Sequence, residues 1–103
     1  MDRAELETRW KDLTHSDLPR AAGPGWPVHL DHCFQRILLD HATGGVWYDV
    51  IPKRPAYAHA SDAILRRAVA LGEDVLAGRA DLHALNRQSL DWRGKTGPAR
   101  TRA

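Results

Sequence analysis

The sequence predicts an all-α fold, a single small domain built as a three- to four-helix bundle. Its 103 residues suffice for one hydrophobic core and are too few for two of ordinary size. Apolar residues recur at helical intervals in four segments, whereas the strand-like run at residues 46–51 would have no partner strand elsewhere in the chain. We therefore expect residues 1–93 to form one helical domain, followed by a disordered basic tail at residues 94–103.

The cysteine content and the N-terminus indicate a cytoplasmic protein. A single cysteine excludes a disulfide framework within the chain and is typical of a reducing compartment. No apolar run approaches the roughly 20 residues of a membrane span, and the acidic start at residues 1–5 does not resemble a secretory signal. We expect no association with a membrane.

The basic character of the chain is confined to its C-terminal end. The pI is about 9.0, yet residues 1–92 carry 13 acidic against 11 basic side chains, a net charge of −2. Residues 93–103 carry the remaining charge, +4, on Arg93, Lys95, Arg100 and Arg102. This tail either contacts nucleic-acid phosphates, weakly and with strong salt dependence, or is simply solvated.

Helix one begins at a capping box formed by Asp2 and Glu5. Its apolar positions follow at helical spacing: Leu6, Trp10 and Leu13. Residues 19–27 are rich in proline and glycine, which predicts a loop within the domain. Helix two then runs from Pro27, in its first turn, to about Ala42.

A long loop rich in glycine, tryptophan and proline is expected between helices two and three. Gly44 and Gly45 end helix two, residues 46–51 are helical or irregular, and residues 52–55 are extended because of their prolines. Helix three begins after Ser61 as N-cap, with Gly72 marking a close helix approach and Gly78 its end. Helix four spans residues 81–92 and is expected to form an antiparallel hairpin with helix three.

One edge of helix two carries His29, Cys33, Arg36 and Asp40 in a row. His29 and Cys33, four residues apart, could chelate a metal ion. Further candidate ligands are His32, His41, His59 and Asp49. The alternative is structural: Cys33 is a small buried side chain, and Arg36 and Asp40 form an ordinary ion pair along the helix.

Cys33 is also a candidate catalytic nucleophile, because a neighbouring His or Arg lowers the pKa of a thiol. Side chains of one helix seldom supply a nucleophile, a base and oxyanion donors together. The structural interpretation of Cys33 is therefore preferred.

Helix four places polar side chains where apolar ones are expected. Asn86, Ser89 and Arg93 project into the arc that faces the core. Because burying an unsatisfied amide or guanidinium is costly, these groups need partners, for which Asp40 or Asp49 are the candidates. The set is either a network that fixes helix packing or the polar floor of a pocket shared with Arg36.

The four tryptophans divide into two pairs. Trp10 and Trp92 fall on apolar helix faces and are expected in the core, whereas Trp26 and Trp47 lie in loops, where they pack locally or line a pocket or a partner surface. Lys53 and Arg54, beside Tyr57, either hold an anion or belong to a solvated turn.

Four sequence runs resemble those of a group of small bacterial proteins of about this length. The runs are HCFQR at residues 32–36, GGVWYD at 44–49, RPAY at 54–57 and LNRQSLDWR at 85–93. These proteins are often labelled as related to GNAT-type N-acetyltransferases. A complete enzyme of that type needs a mixed sheet and an acetyl-CoA loop of the Arg/Gln-x-x-Gly-x-Gly/Ala kind, which this sequence lacks, so the resemblance implies an accessory role.

The sequence thus predicts a small cytoplasmic bacterial binding or accessory protein. Its site is expected between helix two, the Trp47–Pro55 loop and helix four, for a protein or a small polar ligand. The candidate binding residues are Arg36, Asp40, Trp47, Asp49, Arg54, Asn86, Ser89 and Arg93. The alternatives are an acetyltransferase-related, Cys33-dependent or metal-dependent enzyme and a nucleic-acid binder acting through the tail; no cofactor is indicated.

Overall fold

Residues 1–94 are described by a computed structural model, and within them the chain forms helices and no β-strand. The helices are α1 (Arg3–Asp12), α2 (Leu18–Ala21), α3 (Asp31–Thr43), α4 (Ala56–His59), α5 (Asp62–Leu76) and α6 (Leu82–Trp92). A π-helical turn, Leu13–Asp17, joins α1 to α2, and a 3₁₀ turn spans Trp47–Asp49. The predicted all-α single domain is confirmed. Apart from Gly94, the predicted tail at residues 94–103 lies outside the described residues.

None of the helices in residues 1–94 has the length and apolar character needed to cross a membrane.

The N-terminal helical segment is longer than predicted. Asp2 and Glu5 form the predicted capping box, with Asp2 accepting from the backbone N–H of Glu5 at 2.9 Å. The segment then continues through the π-helical turn to Ala21, so the loop predicted from residue 19 begins too early. The wider turn brings Pro19 into the first turn of α2, where its missing N–H needs no helical partner.

Helix α3 begins at Asp31, four residues later than predicted from Pro27. Leu30 is extended, with φ −101° and ψ 149°, and its side chain is 47% exposed. The carboxylate of Asp31 accepts from the backbone N–H of His32 at 2.7 Å, and an acid in this first turn also favours the helix dipole. His29 therefore lies outside the helix.

The segment after α3 follows the prediction for a helical or irregular run. Gly44 ends the helix with φ 78°, a left-handed conformation that favours glycine. Ile51 is buried after the 3₁₀ turn, while Tyr48 and Val50 are exposed. The short helix α4 was not predicted.

The core is formed where α1, α3 and α5 pack together. Its fully buried large apolar side chains are Trp10, Leu13, Leu18, Phe34, Ile37, Leu38 and Leu65. Helix α6 packs on α3 and makes few contacts with α5, so the predicted antiparallel hairpin of α5 and α6 is wrong. The polar side chains of α6 find their hydrogen-bond partners on α3. Trp92, also expected in the core, is 37% exposed at the end of α6 and packs against His41, with ring centroids 4.9 Å apart.

Gly72 marks a close approach of α5 to its neighbours, as the sequence predicts. A Cβ placed there would lie 3.1 Å from Leu13 Cδ1 and 3.2 Å from Leu38 Cδ1, and both leucines are fully buried. Neither methyl group has solvent-facing space to move into, so added volume must displace packed atoms.

Gly72→Val is therefore expected to lower the free energy of unfolding by about 2 kcal/mol through overpacking. Chemical denaturation followed by circular dichroism measures the effect. Ala70→Val adds a valine on the exposed side of the same helix and is expected to cost only about 0.6 kcal/mol, the difference in helix propensity between alanine and valine. Valine has a higher helix propensity than glycine, so any loss in Gly72→Val comes from packing. Equal losses in the two variants would contradict the close packing at Gly72.

Candidate functional site

Helices α3 and α6 are joined by a polar network that includes the polar side chains predicted to face inward. Arg36 donates from Nη1 to Ser89 Oγ and from Nη2 to Asn86 Oδ1, each at 2.7 Å. Asn86, Ser89 and Arg93 thus find partners on α3, which removes the penalty of burying them unsatisfied.

Asp40 is the buried centre of this network, with no solvent exposure. It accepts hydrogen bonds from Ser89 Oγ at 2.7 Å, from Arg93 Nε at 2.8 Å and Nη2 at 2.9 Å, and from the backbone N–H of Trp47 at 3.0 Å. The bond to Asp40 raises the pKa of Arg93. Asp40 thereby ties the end of α6 and the 3₁₀ turn to α3, whereas Asp49, the alternative partner, is exposed.

Arg36 has a different electrostatic situation from Arg93. Burial lowers its pKa, and the nearby charge of Arg93 acts in the same direction. Cys33 and Asp40 act in the opposite direction, yet within residues 1–94 Arg36 forms no ion pair, because its two hydrogen bonds go to the neutral groups of Ser89 and Asn86. Arg36 is therefore a half-buried cation whose hydrogen bonds go to uncharged side chains, and the nearby carboxylate of Asp40 is paired with Arg93.

A cleft of about 570 Å³ lies beside the network, between α1, α3, α4 and the loop that follows α3. Its basic and imidazole side chains are His15, His32, Arg36, Arg54 and Arg93. Its aromatic side chains are Trp10, Trp47, Tyr48 and Tyr57. The other lining residues are Gln35, Leu39, Pro55 and Ala56, so within residues 1–94 no carboxylate lines the cleft.

Guanidinium groups and aromatic rings are interleaved along the loop side of the cleft. The guanidinium of Arg54 lies over the Trp47 ring at 5.0 Å, and that of Arg93 lies over the Tyr48 ring at 5.3 Å. The two rings meet edge to face with centroids 5.5 Å apart. Such an arrangement can bind an oxyanion through the guanidinium N–H groups and a flat group through the rings.

The imidazole side of the cleft is held by Asp31. His15 Nδ1 lies 2.9 Å from Asp31 Oδ2, and this contact, with the backbone N–H of His32, lowers the pKa of Asp31. Gln35 Nε2 donates to the buried Thr14 Oγ1 at 3.2 Å. The sequence does not predict the roles of His15 and Gln35, because they depend on the π-helical turn packing beside α3.

The predicted binding residues fall into two layers and one outlier. Arg36, Trp47, Arg54 and Arg93 line the cleft. Asp40, Asn86 and Ser89 lie behind them and hold Arg36 and Arg93 in place. Asp49 is exposed and belongs to neither layer.

The proposed metal ligands are not brought together. His29 precedes α3 and is exposed, so the spacing with Cys33 on one helix edge is wrong. His32 and His59 are exposed, and His41 Nε2 lies 2.9 Å from the carbonyl oxygen of Leu85. Across residues 1–94 no group of three or more His, Cys, Asp or Glu side chains is arranged to hold a metal ion.

Cys33 is a free, half-buried thiol that does not line the cleft. Of the cations assigned to the basic tail, Arg93 belongs to the folded domain through Asp40. The others, Lys95, Arg100 and Arg102, lie outside the described residues.

Comparisons with protein-family models, curated proteins and solved structures found no match to this chain. The resemblance to acetyltransferase-related proteins stays a prediction. The function is therefore inferred from the cleft and from the side chains around it.

Proposed function

We propose that this chain is a cytoplasmic binding or accessory protein whose cleft takes a small anionic ligand. The observation that carries the proposal is the set of guanidinium groups of Arg36, Arg54 and Arg93 on a cleft with no lining carboxylate. Arginine side chains with fixed geometry are well suited to carboxylate and phosphate groups.

The charge balance around the cleft favours an anion as its occupant. Arg93 is balanced by Asp40, but Arg36 bonds to neutral groups and Arg54 lies over the Trp47 ring. An anion bound next to Arg36 would offset the free-energy cost of desolvating its guanidinium. The cleft volume of 570 Å³ lies within the range of roughly 300–1,000 Å³ that is usual for small-molecule sites.

Arg36→Met is expected to weaken oxyanion binding by about 10- to 100-fold, the loss that follows from removing a charge-assisted hydrogen bond. The free energy of unfolding should fall by about 1–3 kcal/mol, because the variant leaves Asn86 Oδ1 and Ser89 Oγ without the donor that satisfies them. This loss is smaller than the loss of about 3–5 kcal/mol that follows from removing one partner of a buried ion pair. Inorganic phosphate, sulfate and benzoate serve as probes in nuclear magnetic resonance titrations of the tryptophan indole N–H signals. Chemical denaturation gives the stability.

Arg87→Met is the matched control, because Arg87 is an exposed arginine of α6 that does not line the cleft. It should leave both quantities unchanged. The proposal fails if none of the three anions binds the unmodified protein, or if Arg36→Met and Arg87→Met bind them equally. It also fails if Arg36→Met unfolds the protein as readily as loss of Asp40 does, because Arg36 would then be a packing residue.

A further inference from the structure

We propose that the ligand of this cleft is a phosphate monoester carried on a flat aromatic group, bound as two parts by the arginines and by the rings. This inference rests on the proposed function and specifies the chemical class of its anion. Three features of the cleft support it: the net charge, the N–H groups that remain free to donate, and the aromatic surface beside those N–H groups.

The unbalanced charge matches a dianion better than a monoanion. With Arg93 paired to Asp40, the guanidinium groups of Arg36 and Arg54 leave two positive charges on the cleft and no lining carboxylate against them. A phosphate monoester carries about −1.5 to −2 at pH 7 and offers three strong acceptor oxygens. A carboxylate would carry only one charge and leave one guanidinium uncompensated.

The donors that remain free suit several acceptor oxygens. Arg93 donates from Nε and Nη2 to Asp40, and in the described part of the chain, residues 1–94, its Nη1 has no such partner and can donate to a ligand. The fully buried carboxylate of Asp40 holds this guanidinium in orientation. The buried bonds to Ser89 and Asn86 fix the orientation of Arg36 in the same way. Two pre-oriented guanidinium groups lower the ordering cost of binding an oxyanion.

The aromatic part is suggested by the rings next to those donors. Trp47 and Tyr57 line the cleft, and Trp47 is half-buried there. The guanidinium of the exposed Arg54 lies over the Trp47 ring. When Arg54 turns to a phosphate group, the indole face that it covers becomes available for a flat ring. Stacked and edge-to-face ring pairs at centroid distances of roughly 4.5–7 Å add to the binding that the burial of apolar area supplies.

The test compares phenyl phosphate, inorganic phosphate, benzoate and phenol by isothermal titration calorimetry and nuclear magnetic resonance. Phenyl phosphate should bind at least about 10-fold more tightly than inorganic phosphate, which lacks the ring, and than benzoate, which lacks the second charge. Phenol, which has the ring alone, should bind most weakly. Trp47→Leu should reduce the advantage of phenyl phosphate over inorganic phosphate, taken as the ratio of the two affinities in the variant, to less than about 2-fold.

Trp26→Leu is the control for Trp47→Leu, because Trp26 is also a half-buried loop tryptophan but does not line the cleft. Benzoate binding as tightly as phenyl phosphate would overturn the phosphate assignment and leave the anion cleft standing. Inorganic phosphate binding as tightly as phenyl phosphate would overturn the aromatic part. Failure of all the anionic probes would overturn the proposed function as well.

Two further probes distinguish the possible sources of the ring. Adenosine monophosphate and O-phosphotyrosine both carry a phosphate monoester and a flat group, and the tighter of the two identifies the source. Affinities of both below that of inorganic phosphate would overturn the proposal, since a ring would then hinder binding.

Discussion

Replacement of Asp40 by alanine is expected to lower the free energy of unfolding by about 3–5 kcal/mol, the usual loss when one partner of a buried ion pair is removed. Asp40 has no solvent exposure, and the Arg93 side chain that it binds is only 15% exposed. The variant leaves this guanidinium without its carboxylate and also strands the hydroxyl of Ser89 and the backbone N–H of Trp47. Urea denaturation monitored by circular dichroism measures the loss.

Two companion variants separate the cost of the stranded charge from that of the cavity. Asp49→Ala removes an exposed carboxylate nearby in the chain and should stay within about 0.5 kcal/mol of the unmodified protein. Asp40→Ala combined with Arg93→Met should recover part of the stability, because the unpaired cation is then gone. If Asp40→Ala costs no more than Asp49→Ala, Asp40 does not organise the packing of α6 on α3.

The polar face of α6 therefore serves two purposes. Ser89 and Asp40 form a fully buried contact that fixes the packing of α6 on α3. Arg36 and Arg93 extend from the same network to the cleft, where their guanidinium groups meet the aromatic rings. The sequence offers two alternatives for these residues, a network that fixes helix packing and the floor of a pocket. Both apply, because Asp40 and Ser89 form the buried network and Arg36 and Arg93 extend from it to line the cleft.

The sequence was sufficient wherever the signal is local. The capping box of Asp2 and Glu5, the N-cap Ser61 and the helix-ending Gly44 are each encoded by neighbouring residues, and each is found in the structure. The polar residues of α6 could be recognised because burial of Asn86 or Ser89 demands a partner. The candidate partners were Asp40 and Asp49, and the structure shows that the partner of Ser89 and Arg93 is Asp40 on α3.

The remainder depends on tertiary packing, which no local pattern carries. His15 reaches the cleft from the π-helical turn, which packs beside α3, and Tyr57 reaches it from α4, which packs against α1. The predicted start of α3 lies too early, because Pro27 suits a first helical turn but the chain is not helical before Asp31. Helical periodicity places both Trp10 and Trp92 on apolar helix faces. It does not show that Trp92 lies at the end of α6, where no other element covers it fully.

The two tryptophans that the sequence assigned to the core provide a direct test of this point. Trp10→Ala is expected to lower the free energy of unfolding by about 3–5 kcal/mol, since the side chain is only 1% exposed and its loss leaves a large cavity among packed residues. Trp92→Ala should cost about 1 kcal/mol, because Trp92 is 37% exposed and loses mainly its ring contact with His41. Urea denaturation followed by far-ultraviolet circular dichroism compares the two without relying on tryptophan fluorescence.

Trp10→Phe refines the comparison, because it retains an aromatic ring in the same site and should recover most of the loss seen in Trp10→Ala. Trp10 also contributes to the lining of the cleft, so a Trp10→Ala protein that still folds has an enlarged floor beneath Tyr57 and Trp47. Its affinity for inorganic phosphate should change little, since Arg36 and Arg93 are held from α3 and α6 and not from α1. Similar stability losses for Trp10→Ala and Trp92→Ala would instead mean that the end of α6 is covered and that Trp92 belongs to the core, as periodicity alone predicts.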